Sequence, residues 1–218
     1  RIAVGQFHEL TDEKLRFAAQ IGVSGIQMNN PTLPGDSFWE EADIRALVER
    51  IEAVGLTFEA IENVPTHFYN KAMLGLPGRD EQIENYCRTV VNVGRAGVPI
   101  LGLHFMPNSV WRTDRKAPGR GGAGNTRFEI AKVEGASKDA WRSFMPTTLG
   151  RADSMPLFGE EDGIITAEMM WANYCYFMDA VLPVAEEAGV KIALHPDDPP
   201  VPMLGGVARI FKAPTDFK

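Results

Sequence analysis

The densest chemistry in the sequence is the run Leu194-His195-Pro196-Asp197-Asp198-Pro199-Pro200. One imidazole and two carboxylates this close can bind a divalent metal or exchange protons, and the prolines stiffen the segment that carries them. The plainer account has His195 satisfied at a strand end and the two aspartates capping a turn. A second cluster, Leu103-His104-Phe105-Met106-Pro107, is followed by Trp111-Arg112-Thr113-Asp114. An arginine beside a carboxylate can orient a sugar acid through a forked pair of hydrogen bonds, with Trp111 as an apolar wall behind it. Equally, Phe105 and Met106 serve packing, and Arg112 with Asp114 forms a surface pair. A third cluster, Ile61-Glu62-Asn63-Val64-Pro65-Thr66-His67, offers Glu62 as an acid or base and His67 as a substrate donor or an ordinary loop histidine.

The elements that must position these residues repeat. Runs beginning at Gly22, Gly55, Gly97 and Gly189 each read as the exit from a helix through a glycine cap into a buried strand, and Ile2-Ala3-Val4 makes a first strand. Helical periodicity precedes each of them. The first helix is capped by Thr11 or Asp12 and has Leu15, Ala18, Ala19 and Ile21 on one face; the second covers about 40–53, the third about 81–96 and the fourth about 166–188. Strands alternating with helices predict a parallel sheet, because parallel neighbours need crossovers. No GxGxxG follows the first strand, which argues against a dinucleotide-binding open sheet. Polar residues instead follow nearly every strand: Gln6 and His8, Asn29 and Asn30, Glu62 and Asn63, His104 and Asn108, then His195, Asp197 and Asp198. That ring suits the active face of a TIM-type (β/α) barrel, although polar βα loops are common to all α/β proteins. Five βα units are too few to close an eight-stranded barrel, so the expectation is one barrel domain over 1–218, incomplete in this chain and truncated at its C-terminal side.

The rhythm breaks over 112–162, which reads as an insertion or lid after the fourth strand. Its glycines lack the Gly-Lys-Ser/Thr of a phosphate loop. Its cations, Arg112, Arg115, Lys116, Arg120 and Arg127, could attract an anion, though solvated loop positions account for most of them.

Composition narrows the partners. The 218 residues carry 22 basic against 29 acidic side chains, a net charge of -7, which argues against nucleic acid or an anionic membrane and for a small molecule. No apolar run approaches the length of a membrane span. Two separated cysteines, Cys87 and Cys175, form no disulfide framework and point to a reducing compartment, the cytoplasm. A homo-oligomer is compatible with a barrel, but no residue pattern specifies its symmetry.

The clusters in their order resemble the mannonate dehydratase family, metal-dependent sugar-acid lyases on the xylose-isomerase-like TIM barrel. The matching blocks are Glu62-x-Val64-Pro65-x-His67, Phe105-Met106-Pro107 with Trp111-Arg112-Thr113-Asp114, and His195-Pro196-Asp197-Asp198-Pro199-Pro200 continuing through Pro202, Leu204-Gly205 and Arg209-Ile210. The segment Pro183-Val184-Ala185-Glu186-Glu187-Ala188-Gly189-Val190 is also similar. The resemblance spans most of the chain but only the amino-terminal part of the family pattern. It implies dehydration of D-mannonate to 2-dehydro-3-deoxy-D-gluconate with a divalent metal, Mn²⁺. Its implied roles are His195 as a metal ligand, Asp197, Asp198 and Glu62 as catalytic carboxylates, and His67, His104, Asn108, Trp111 and Arg112 around the substrate. The family draws further ligands, a Cys, a second His and an Asp, from strands beyond this sequence, and Cys87 and Cys175 on expected helices do not replace them. The alternatives are a sugar isomerase or epimerase on the same barrel, and a noncatalytic barrel fragment.

Overall fold

The computed structural model describes residues 1–145, 157–158 and 163–218. Its framework is β1 (Ala3–Phe7), α1 (Asp12–Gln20), β2 (Gly25–Met28), α2 (Glu41–Glu52), β3 (Thr57–Ile61), α3 (Asn70–Leu74), α4 (Arg79–Arg95) and β4 (Ile100–Leu103). After β4 come β5 (Asp114–Pro118), β6 (Gly124–Arg127) and α5 (Lys138–Phe144); α6 (Ala167–Glu187) and β7 (Lys191–Leu194) resume the alternation, and β8 (Met203–Leu204) with β9 (Val207–Ala208) follow.

Local chemistry sets the helix ends. The Thr11 hydroxyl accepts the Lys14 amide and starts α1, and Thr166 does the same for Met169 at the head of α6, each satisfying one of the free first-turn N–H groups. Gly22, Gly55, Gly97 and Gly189 all have φ between 69° and 88°, the left-handed region in which glycine pays no Cβ penalty. Between them, helical turns give way to extended strands.

Five strands pair in the order β1-β2-β3-β4-β7, all parallel. Each new strand adds to the same edge. A doubly wound sheet reverses direction at a switch point; this one does not, which is the winding of a (β/α) barrel, here forming an arc among the described residues. One face of the arc is dry: Ile26, Met28, Phe58, Ile61, Leu101 and Leu103 are buried in one cluster with Leu15, Ile44, Ile51, Tyr86, Val93, Phe177 and Val181 of the helices. Tyr86 and Phe177 meet edge to face with ring centroids 4.9 Å apart, joining α4 to α6. On the other face Gln27, Ala60 and Ala193 line a cavity instead. Alternation thus sends one residue set to the helices and the next to the barrel interior, and in β3 a register shift between Phe58 and Ala60 resets the phase so that Phe58 and Ile61 share the dry face.

Three features depart from the expected rhythm. A 3-10 turn, Thr66–Phe68, and the short α3 intervene after β3, and α4 begins at Arg79, two residues before its expected start. Part of the insertion is an antiparallel hairpin, β5 with β6, and beneath it Trp111, Val133, Met145, Leu157 and Leu204 form a small separate core. Residues 146–156 and 159–162 of the expected lid lie outside the described residues. No helix among the described residues is long and apolar enough to cross a membrane.

Candidate metal and sugar-acid site

Parallel pairing explains why distant histidines meet. Leu103 of β4 is paired with Leu194 of β7, so the next residues, His104 and His195, leave the sheet side by side with ring centroids 4.1 Å apart. Glu62 follows β3 in the same way, its amide donating to the Met28 carbonyl. At Gly102 a Cβ would stand 1.9 Å from the Glu62 carbonyl oxygen, so the chain carrying Glu62 can lie this close to β4 only because residue 102 has no side chain. One donor atom from each of Glu62, His104 and His195 then falls within 4.8 Å of the others.

The protonation states suit a cation. The His195 Nδ1 lies 2.6 Å from the Pro196 carbonyl, which can only accept, so Nδ1 carries a hydrogen and Nε2 is the ring nitrogen left for a metal. His104 is buried and, among the described residues, its Nε2 has no hydrogen-bond partner, although it stands 3.9 Å from Glu62 Oε1. Burial first, then the neighbouring His195 ring and the Arg209 charge, push its pKa down to about 3, so the ring is neutral. An orphaned, neutral, buried nitrogen facing a second imidazole and a carboxylate fits a divalent metal. Glu62 is held at both oxygens: Gln6 Nε2 donates to Oε1 and Gln27 Nε2 to Oε2, each at 3.1 Å. Such amide donors fix a ligand's orientation without neutralising its charge.

Two adjoining cavities, about 440 and 300 Å³, share Gln6, Glu62, His104 and His195. The larger runs into the barrel interior past Gln27, Ala60 and Ile100. The smaller opens under the hairpin and is lined by His8, Asn29, Arg112, Arg115, Thr126 and Asp198. Arg112 turns away from its sequence neighbour Asp114 and grips Asp198 at both carboxylate oxygens, at 2.8 and 2.5 Å. Asp114 instead accepts the Lys116 amide.

The sequence candidates therefore divide. Glu62, His104, Arg112, His195 and Asp198 come together at the cavities. Asp197 points the opposite way from its neighbour: its Oδ2 accepts the Phe211 amide at 2.6 Å and its Oδ1 lies 3.6 Å from Arg209 in the interior. Burial raises the Asp197 pKa, against the opposing pull of Arg209. Asn108 is fully buried, donating to the Leu204 carbonyl and accepting from Arg209, and Trp111 is fully buried with its indole N–H on the Asn108 carbonyl. His67 stacks edge to face on Phe68 in the 3-10 turn, outside both cavities. Conversely, Gln27, Thr126 and Arg209 take parts that no residue pattern had assigned them, while Arg115, one of the loop cations expected to attract an anion, lines the smaller cavity. For Gln27 the signal was an amide between Ile26 and Met28 in an otherwise buried strand.

The model of the D-mannonate dehydratase (UxuA) family matches residues 6–218. The chain belongs to that family. Mannonate dehydratase of Streptococcus equi subsp. zooepidemicus (strain MGCS10565) is 35% identical over 188 residues, covering 84% of this chain and 51% of the relative. The Bacillus subtilis (strain 168) mannonate dehydratase is 35% identical over 219 residues, covering 94% of this chain and 59% of the relative. The crystal structure of mannonate dehydratase from Streptococcus suis serotype2 superposes with a TM-score of 0.73 at 32% identity, covering 93% of this chain and 54% of that one. The chain thus spans about half the length of the mannonate dehydratases it matches.

Proposed function

We propose that the protein is a hydro-lyase that removes water from D-mannonate to give 2-dehydro-3-deoxy-D-gluconate with a divalent metal, Mn²⁺. The observation that carries the reading is the convergence of Glu62, His104 and His195 at the strand ends of a chain in this family. On this reading His195 Nε2, His104 Nε2 and the Glu62 carboxylate hold the ion. When bound, it supplies Lewis-acid stabilisation of the charge that develops beside the carboxylate.

The chain's own residues meet the remaining demands. The C2 proton is weakly acidic and the C3 hydroxyl leaves poorly. Arg112 orients the substrate carboxylate, as a forked guanidinium suits. Asp198 takes the C2 proton and returns it to the departing C3 hydroxyl, which leaves as water. Glu62, expected from the sequence to move protons, serves here as a ligand carboxylate fixed by Gln6 and Gln27. Asp197 orients the loop that carries His195 and Asp198, while His67, Asn108 and Trp111 support the site from outside it. The negative net charge and two free cysteines support a small sugar acid as partner and a cytoplasmic setting without nucleic acid.

The test is formation of the 2-keto-3-deoxy acid from D-mannonate by the purified protein with Mn²⁺, against an EDTA-treated control and other sugar acids. Metal-dependent product is expected, and His195→Ala abolishes it while the fold remains. Interconversion of neutral sugars without loss of water would overturn the reading in favour of an isomerase or epimerase.

A further inference from the structure

The guanidinium expected to hold a sugar acid already holds a carboxylate. Nε of Arg112 donates to the Thr126 hydroxyl at 3.2 Å, and one Nη1 hydrogen to the Trp111 carbonyl at 2.9 Å. The forked edge that remains is taken by Asp198, Nη1 to Oδ1 and Nη2 to Oδ2. Four of the five N–H groups are thus engaged and the fifth, on Nη2, adjoins the Nε that Thr126 holds, so while Thr126 stays in place a second carboxylate gains a fork only by displacing Asp198. Thr126 and the Trp111 carbonyl hold the plane of Arg112 independently of Asp198, and the fork keeps its aim when Asp198 leaves.

Asp198 is the member of the pair built to leave. Its side chain is 34% exposed and borders the 300 Å³ cavity with His195 and Arg115. Among the described residues, the hydrogen bonds made by its carboxylate run to Arg112 alone. Asp197 next to it is the contrast, with a buried carboxylate tied to Phe211 and Arg209. The loop is therefore anchored through Asp197, so that Asp198 can move without dragging His195.

We propose that Asp198 is a built-in competitor for the substrate's carboxylate: the sugar acid binds by exchanging with Asp198 on the Arg112 fork, and Asp198 is released into the cavity only when an acid is bound. This rests on the sugar-acid reading above and adds a specificity device to it. A neutral sugar offers nothing to replace the broken ion pair, so the latch selects acids over neutral sugars of the same shape. It also lowers the apparent affinity for the acid by the fraction of time the fork is occupied.

The test is calorimetric binding of D-gluconate and of the neutral polyol D-glucitol to the Mn²⁺-loaded protein, in the wild type, Asp198→Asn, Asp198→Ser, Arg112→Met and Arg115→Met. Removing the competitor is expected to tighten D-gluconate binding by about tenfold in both Asp198 variants, with D-glucitol binding and Mn²⁺ affinity unchanged. Arg112→Met is expected to abolish the gain. Using two substitutions at residue 198 guards against one of them misfolding, which thermal melts report. Unchanged or weaker D-gluconate binding in folded Asp198 variants overturns the exchange, as does loss of acid binding in Arg115→Met with retention in Arg112→Met. If the wild type turns over D-mannonate, such a result removes the exchange alone; a wild type that binds no acid overturns both.

Discussion

Two arginine–aspartate pairs begin at adjacent residues and end in different physical regimes. Asp197 and Arg209 are 2% and 1% exposed, enclosed by Asn108, Ser109 and the Phe211 amide. Asp198 and Arg112 are 34% and 22% exposed and face a cavity. The interior pair ties the loop after β4 to the loop after β7, the two loops that carry His104 and His195. The rim pair has the shorter contacts but the higher dielectric around it, so it is the easier one to exchange. Distance alone ranks them the wrong way; solvent decides.

The largest expected effect breaks the interior pair. Arg209→Met leaves the Asp197 charge buried and uncompensated, costing about 3–5 kcal/mol in denaturant unfolding, whereas adding Asp197→Leu recovers much of the loss. A cost below about 1 kcal/mol would mean that water reaches the pair and the two regions do not differ.

Next comes pH. The folded His104 pKa of about 3 lies below its ordinary 6.5, so between those values the unfolded chain binds a proton that the folded chain does not. Stability of the metal-free protein is therefore full above about pH 6.5 and falls by up to a few kcal/mol as pH drops toward 3. His104→Gln flattens that slope in pH-dependent unfolding. Since the Arg209 charge contributes to the shift, Arg209→Met should raise the folded pKa, so that the fall ends at a higher pH and is smaller in total, while its onset near the ordinary value stays where it is in the wild type.

A smaller effect lies at Glu62, the carboxylate proposed to hold the ion. Gln27→Leu removes one of the two amides that aim Glu62 and is expected to weaken Mn²⁺ binding by about 10–100-fold, measured by competition with a chelator. The smallest is at the rim: Arg112→Met changes unfolding free energy by less than about 1 kcal/mol, because a partly exposed pair contributes little to stability, while the fork for a carboxylate is lost. A larger destabilisation would make Arg112 a structural strut and collapse its contrast with Arg209.

Much of the framework is readable in the residue order. The glycines at 22, 55, 97 and 189 mark helix exits because left-handed backbone is a local property, and Thr11 and Thr166 cap helices because a hydroxyl reaches an amide three residues on. The α3 segment and the β5–β6 hairpin are not readable in that way. Leu74 and Met73 satisfy no long periodicity, and the hairpin's residues, such as Gly124, Asn125 and Arg127, lack the apolar alternation that announces a half-buried strand.

The same division runs through the site. The sequence by itself determined that His104, Glu62 and His195 would stand at strand ends, because hydrophobic runs stop there and polar residues begin. It also determined the family, through short blocks whose order is a property of the chain. Only the tertiary structure decided that β4 and β7 pair in register so that two histidines 91 residues apart touch, since register is a relation between strands. It alone separated Asp197 from Asp198, and it gave Arg112 a partner 86 residues away in place of Asp114, two residues away. A carboxylate's role depends on which side of the chain meets protein and which meets the cavity, and in this loop that is fixed by Arg209, Phe211 and the folded hairpin rather than by its own sequence.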